Sequence, residues 1–306
     1  MKNATEKTGL GGLWIVFIAA VIAALPLRVL QYLNVIEKGT GFYTGLHWSI
    51  FALFGVLTAA VALCVILGLT RRSKVGYLKD GGRQIAAGLL ALPAAAAVLY
   101  DALLCVNANF SLGLPFSLPG QGELTAAAAR VILLEGVFGV LSALFLLLMG
   151  VSMLSGRKLG GTFYRLLTLT PVLWSIFRMI FRFTRTISYI RVSDLLLEML
   201  MLIFQILFFM ALAQCEAQVG DKKIPWKLAG YGLPAALFGL LCFLPRAIMI
   251  AIGRADVIYA YSTLEYCDLA LALFALAVAA SRLIPEAQDK PTVIPVAPET
   301  DEAAKD

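Results

Sequence analysis

The chain has 306 residues, of which 60% are hydrophobic and 14% are charged, and its formal net charge is +6. Soluble domains are about 25% charged, whereas here the runs 48–70 and 136–156 contain no Asp, Glu, Lys or Arg. A membrane helix needs about 20 apolar residues, and these runs lack the alternation of membrane β-strands. Composition therefore excludes a soluble globular domain and predicts an all-α polytopic membrane protein.

In chain order, the sequence predicts a polar leader over 1–10, a transmembrane bundle over 11–283, and a disordered acidic tail over 284–306. Eight spans are predicted, and successive spans form four helical hairpins. One charged residue recurs near the same end of each hairpin's first helix, which suggests an internal repeat of about 70 residues. Constraints on span and loop length would give a similar period without duplication. The predicted spans cover about 11–33, 46–70, 84–106, 127–154, two helices within 171–214, 229–252 and 257–281.

The lysines predict how the bundle is oriented. In an eight-span arrangement, every lysine except Lys38 falls on the same side of the membrane. Cytoplasmic loops carry the excess of basic residues, so both termini are predicted to be cytoplasmic in a multi-pass cell-membrane protein. Because the basic residues lie in short loops between spans, they indicate topology rather than nucleic-acid binding.

The third hairpin carries charged residues within its predicted helices. If its helices run antiparallel about a turn near residues 189 and 190, Arg182 lies near Glu198 and Arg185 lies against Asp194. Arg178 lies deeper and has no acid at its own depth in this hairpin. An arginine in hydrocarbon is costly and must face protein or water, so Arg178 requires a partner from elsewhere in the bundle.

The other hairpins show the same pattern of charges. In the fourth hairpin, Arg254 is predicted to lie opposite Glu265, while deeper ionisable residues have no partner nearby. These residues predict ion pairs between hairpins, gathered in one layer near the outer leaflet. The members of this predicted charge layer, which is also the candidate ligand site, are Arg28, Asp101, Glu135, Arg178, Arg182, Glu198, Arg246, Glu265 and Asp268.

Two functional interpretations of this layer follow. In the first, the protein is a permease or channel-like protein, and the arginines and carboxylates line an outward-facing cavity for a small polar or anionic solute. Arginine forks suit carboxylate and phosphate groups, and a proline in the first helix of each hairpin is typical of broken helices at transport sites. In the second, the same charges are structural pairs in a non-catalytic membrane sensor, scaffold or assembly partner.

The sequence contains no pattern that predicts catalysis or metal binding. His47 is the single histidine, so the chain has neither a serine–histidine triad nor a histidine pair for zinc. The five cysteines show no C-x-x-C spacing and are interpreted as small buried hydrophobic residues. We therefore expect no enzymatic activity, no cofactor and no metal. The expected partner is the lipid bilayer, and a membrane-protein partner or a second copy of the chain stays open.

Overall fold

A computed structural model describes residues 2–37, 41–70, 84–110, 126–157, 159–185, 192–217, 225–254 and 265–282. Within these ranges, the side chains at 2–11, 126–128, 183–185, 192, 225 and 282 are not described. The helices in the described ranges are α1 (Lys2–Asn34), α2 (Trp48–Thr70), α3 (Ile85–Phe110), α4 (Ala126–Ser155), α5 (Thr162–Leu167), α6 (Thr170–Arg185), α7 (Val192–Glu216), α8 (Pro225–Ala251) and α9 (Tyr266–Arg282).

Six of these helices are long and apolar enough to cross a membrane: α1, α2, α3, α4, α7 and α8. Helix α9 is a shorter apolar helix. Helix α6 has 16 residues, a length of about 24 Å against a hydrocarbon core of about 30 Å. The protein is an all-α polytopic membrane protein, as the sequence predicts, and the count of eight spans stays a prediction.

Two predicted boundaries differ from those in the structure. Helix α1 begins at Lys2 and therefore runs through the predicted leader. The last span was predicted over about 257–281, whereas α9 begins at Tyr266 and Glu265 precedes it in non-helical conformation. Residues 257–264 lie outside the described residues. The Glu265 carbonyl accepts the N–H of Asp268 at the start of α9. The predicted tail and the turn near residues 189 and 190 lie outside the described residues.

The helices pack as four hairpins: α1 with α2, α3 with α4, α6 with α7, and α8 with α9. Contacts of α4 with α6, α7 with α8, and α9 with α3 close three of these hairpins into a ring. The α1–α2 hairpin packs on α8. Helix α8 is therefore central, with 67% of its most apolar stretch buried, whereas the corresponding value for α2 is 22%.

The α3–α4 interface is built from small residues. A Cβ added at Gly88 would lie 3.0 Å from the Gly150 carbonyl oxygen, and one added at Gly150 would lie 3.0 Å from the Cβ of Ala91. Lipid chains are as apolar as the helices, so association in a membrane depends on close van der Waals packing. Glycine at both positions allows the two backbones to make that contact.

Aromatic side chains fill the contacts among α7, α8 and α9. The rings of Phe204 and Phe238 stack with centroids 5.5 Å apart, and Phe208 meets Phe274 edge to face at 6.1 Å. Paired rings of this kind contribute about 0.5–1.5 kcal/mol beyond their buried area. The first pair joins α7 to α8 and the second joins α7 to α9, so both help to position the charged residues on those helices.

We predict that Gly88→Leu destabilises the bundle, whereas Gly55→Leu on α2 does not. A Cβ at Gly88 would lie 2.8 Å from Leu154 Cγ, while one at Gly55 meets nothing within 4 Å. Overpacking costs about 1–3 kcal/mol, so the melting temperature of purified Gly88→Leu protein in detergent should fall. Equal melting temperatures for the two variants would contradict the α3–α4 packing described here.

Candidate functional site: an ion-pair network at one end of the bundle

All nine residues of the predicted charge layer lie at the same end of the bundle. They occupy the C-terminal halves of α1, α3, α6 and α8, the N-terminal halves of α4, α7 and α9, and Glu265 just before α9. The two helices of each hairpin run in opposite directions, so these positions come together at what we call the charged end. This arrangement lets side chains distant in sequence meet within one layer.

Asp194 on α7 is the first branch point of the network. Arg28 donates to its Oδ1, the Tyr32 hydroxyl donates to the same oxygen at 2.7 Å, and Arg246 Nη2 lies 3.5 Å from Oδ2. Arg28 also donates to Gln31 Oε1 at 2.8 Å. Asp194 therefore connects α1 and α8 to α7, although it is not among the nine candidates.

Glu198, one turn further along α7, is the second branch point. Arg246 Nη2 donates to its Oε1 at 2.6 Å, and Arg182 Nη1 donates to its Oε2 at 2.8 Å. The predicted pair of Arg182 with Glu198 is therefore confirmed. The predicted pair of Arg185 with Asp194 involves an arginine side chain outside the described residues.

Arg178 joins α6 to two other hairpins. Its Nη1 donates to Asp101 Oδ2 at 2.6 Å, and its Nη2 donates to Asp268 Oδ1 at 3.1 Å and to Glu265. The guanidinium carbon lies 5.0 Å from the ring centroid of Trp174, within the range of a cation–π contact. The predicted need of Arg178 for a partner from another hairpin is confirmed.

Glu265 is shared between two arginines of α6. Both Arg178 and Arg182 donate to its Oε2, and Arg182 Nη2 also lies 3.9 Å from Asp268 Oδ2. Arg254 was predicted as the partner of Glu265, and that prediction is wrong. Since Glu265 precedes α9 instead of lying within it, its carboxylate faces α6 rather than the end of α8.

These contacts form one continuous chain of alternating charge, from Arg28 at one end to Asp101 at the other. The arginines at positions 28, 178 and 246 are buried, with 0%, 2% and 2% of their surface exposed. The side chains of Asp101 and Glu265 are 20% and 29% exposed. The accessible part of the network is therefore anionic, and its cationic groups point inward.

Acids outnumber arginines within this layer. Among the described side chains, Asp194 and the five acids of the layer make six carboxylates for four arginines, so full ionisation of these ten groups gives a net charge of −2. Glu135 on α4 is the candidate that makes no ion pair with an arginine of the described residues. It is buried, and its Oε2 has no hydrogen-bond partner in that part of the chain.

Sequence reasoning missed contacts from the segment between α1 and α2. The Tyr43 hydroxyl accepts a hydrogen bond from Arg28 Nη1 at 3.2 Å, and Ser193 Oγ donates to the Gly41 carbonyl oxygen at 3.0 Å. A bridge between Ile36 and Tyr43 folds the segment back onto the bundle. No pattern in the sequence signals this path, because it depends on how the segment packs.

No family model matches the chain, and no match was found among the curated proteins or the solved structures. Functional inference therefore depends on the chemistry of the charged end. Arginine stays protonated at any physiological pH, so the four guanidinium groups are permanent cations that require acceptors. A carboxylate can instead lose its charge by binding a proton or a cation.

We predict that Tyr43→Phe lowers stability while Tyr266→Phe leaves it unchanged. Tyr43→Phe removes an acceptor from buried Arg28, and a hydrogen bond to a charged group contributes about 1.5–3 kcal/mol. Tyr266 is exposed, and its ring meets Phe243 with centroids 5.8 Å apart, a contact that phenylalanine preserves. Thermal unfolding of both variants in the same detergent checks this, and unchanged stability of Tyr43→Phe would contradict the packing of the α1–α2 segment.

Proposed function

We propose that the protein is a non-catalytic membrane module, a sensor, scaffold or assembly partner, in which the ion-pair network holds the helical hairpins together. One observation carries this proposal: each of the four network arginines binds at least one carboxylate from a different hairpin. A group already saturated by protein carboxylates has little capacity left for a ligand. The network therefore acts as a clamp.

The third hairpin, α6 with α7, is the centre of this clamp. Through Asp194 it binds the first hairpin, through Arg178 it binds the second, and through Glu198 it binds the fourth. Apolar burial does not hold helices together within lipid. Directional ion pairs at one end of the bundle therefore have a clear role in fixing which hairpins are neighbours.

Solute handling is the second candidate function, and the geometry favours a cationic or neutral polar solute over an anionic one. Its support is the partial exposure of the Asp101 and Glu265 carboxylates, which are the accessible groups of the network. An anion would have to compete with these carboxylates for arginines that they already neutralise. With both termini in the cytoplasm, this anionic surface would face the outside of the cell.

We predict that Arg178→Leu lowers the yield of folded protein, whereas Arg130→Leu does not. Arg178→Leu would leave Asp101 and Asp268 without their shared cation, and breaking a buried ion pair costs about 3–5 kcal/mol. Arg130 is exposed on α4 and provides the matched control. Fluorescence-detected size-exclusion chromatography of both variants measures folded protein. Normal yield and stability of Arg178→Leu would overturn the clamp.

Flux measurements separate the two candidate functions. If the network is a clamp, liposomes containing the purified protein should show no more Na⁺, K⁺ or H⁺ flux than empty liposomes. Protein-dependent cation flux that is abolished by Glu265→Gln, with folded yield retained, would favour the permease or channel-like function instead. Glu216→Gln on α7, outside the network, serves as the control for removal of a carboxylate charge.

A further inference from the structure

The excess negative charge of the network is concentrated at one of its ends. Arg28 and Arg246 are balanced by Asp194 and Glu198. Among the described side chains, the other end has two arginines for four carboxylates, and the excess lies there. The carboxylates at this end are Asp101, Glu135, Glu265 and Asp268.

A group of potential metal ligands lies at this same end. Asp101 and Cys105 are four residues apart on α3 and so share one face of that helix, and Glu135 projects from α4. A carboxylate oxygen from each acid and the Cys105 sulfur all lie within 4.8 Å of one another. Gly136 lets α3 and α4 approach closely beside this group, since a Cβ there would lie 2.8 Å from Val106 Cγ2.

Glu135 supplies an independent sign that this group binds something. Only 3% of its surface is exposed, and its Oε2 has no hydrogen-bond partner in the described part of the chain. A buried ionised carboxylate is strongly unfavourable unless it is paired or coordinates a metal. Arg178 does not supply that pairing, because its guanidinium group forms ion pairs with Asp101, Glu265 and Asp268.

We propose that Asp101, Cys105 and Glu135 form a binding site for a divalent transition-metal cation of the Zn²⁺ class. Cys105 would coordinate as the thiolate and release one proton on binding. The cation would then offset two of the three negative charges that the described side chains leave at this end. This inference concerns a ligand of the network and does not depend on which of the two candidate functions holds.

The donor set determines the class of metal. Sulfur with carboxylate oxygen suits Zn²⁺ and related cations, whereas Mg²⁺ and Ca²⁺ prefer oxygen alone. Ligand atoms around tetrahedral zinc lie about 3.5 Å apart, so small side-chain rotations must draw the three groups together by about 1 Å. The partly exposed carboxylate of Asp101 provides a path from the surface.

Cobalt titration of the full-length protein tests the site. Protein purified in detergent and stripped with a chelator would be titrated with Co²⁺, whose absorption reports both thiolate ligation and coordination geometry. We expect one Co²⁺ per chain, a thiolate-to-cobalt charge-transfer band, and displacement by Zn²⁺. Absence of stoichiometric binding by the unchanged protein overturns the proposal without any variant, and would leave protons as the partners of the excess carboxylates.

Two variants and one control locate the bound metal. Cys105→Ser should remove the charge-transfer band, and Glu135→Gln should weaken Co²⁺ binding by more than about tenfold, since even the loss of an outer-shell partner costs that much. Cys64→Ser, at another buried free cysteine, should change neither the charge-transfer band nor the affinity for Co²⁺. If Glu135→Gln does not fold, Cys105→Ser and the unchanged protein still decide the outcome. Persistence of the band in Cys105→Ser overturns the proposal.

Discussion

The contact between a buried guanidinium group and a carboxylate from another hairpin is the constraint on which this structure depends. In hydrocarbon an unpaired charge is far more costly than in water, so each deep arginine must meet an acid wherever one is available. Arg178 reaches Asp101 and Asp268 on two different helices. Pairing of this kind ties the second and fourth hairpins to α6.

The helix at the centre of the apolar packing is not part of the hairpin at the centre of the ion-pair network. Helix α8 is central to the packing, since it contacts α1, α2, α7 and α9 and is the most buried of the six long apolar helices. The α6–α7 hairpin is central to the ion pairs, since it supplies Asp194, Glu198, Arg178 and Arg182. Close packing along the helices and ion pairing at one end thus restrain different parts of the bundle.

The excess of carboxylates distinguishes this network from a set of matched pairs. Buried ion pairs often contribute little net stability compared with apolar side chains of the same size. A buried acid without an arginine partner contributes less still, so a clamp alone does not explain why the carboxylates outnumber the arginines. Glu135 is buried without an arginine partner in the described residues, and it lies beside Asp101 and Cys105. The charged end therefore combines arginines that are each paired with carboxylates and a buried acid, Glu135, that has no such pairing in the described part of the chain.

The sequence by itself determined the membrane class, the helical hairpins and the need for buried charges to pair, because apolar length and helical periodicity are local properties. It also determined the pair of Arg182 with Glu198, because these residues are only 16 apart in sequence and belong to the two helices of one hairpin. Only the tertiary structure decided that Arg178 meets Asp101, which is 77 residues away, and that Glu265 faces α6 rather than Arg254. Partners at such distances are chosen by how whole hairpins pack, and that packing is a property of the assembled bundle.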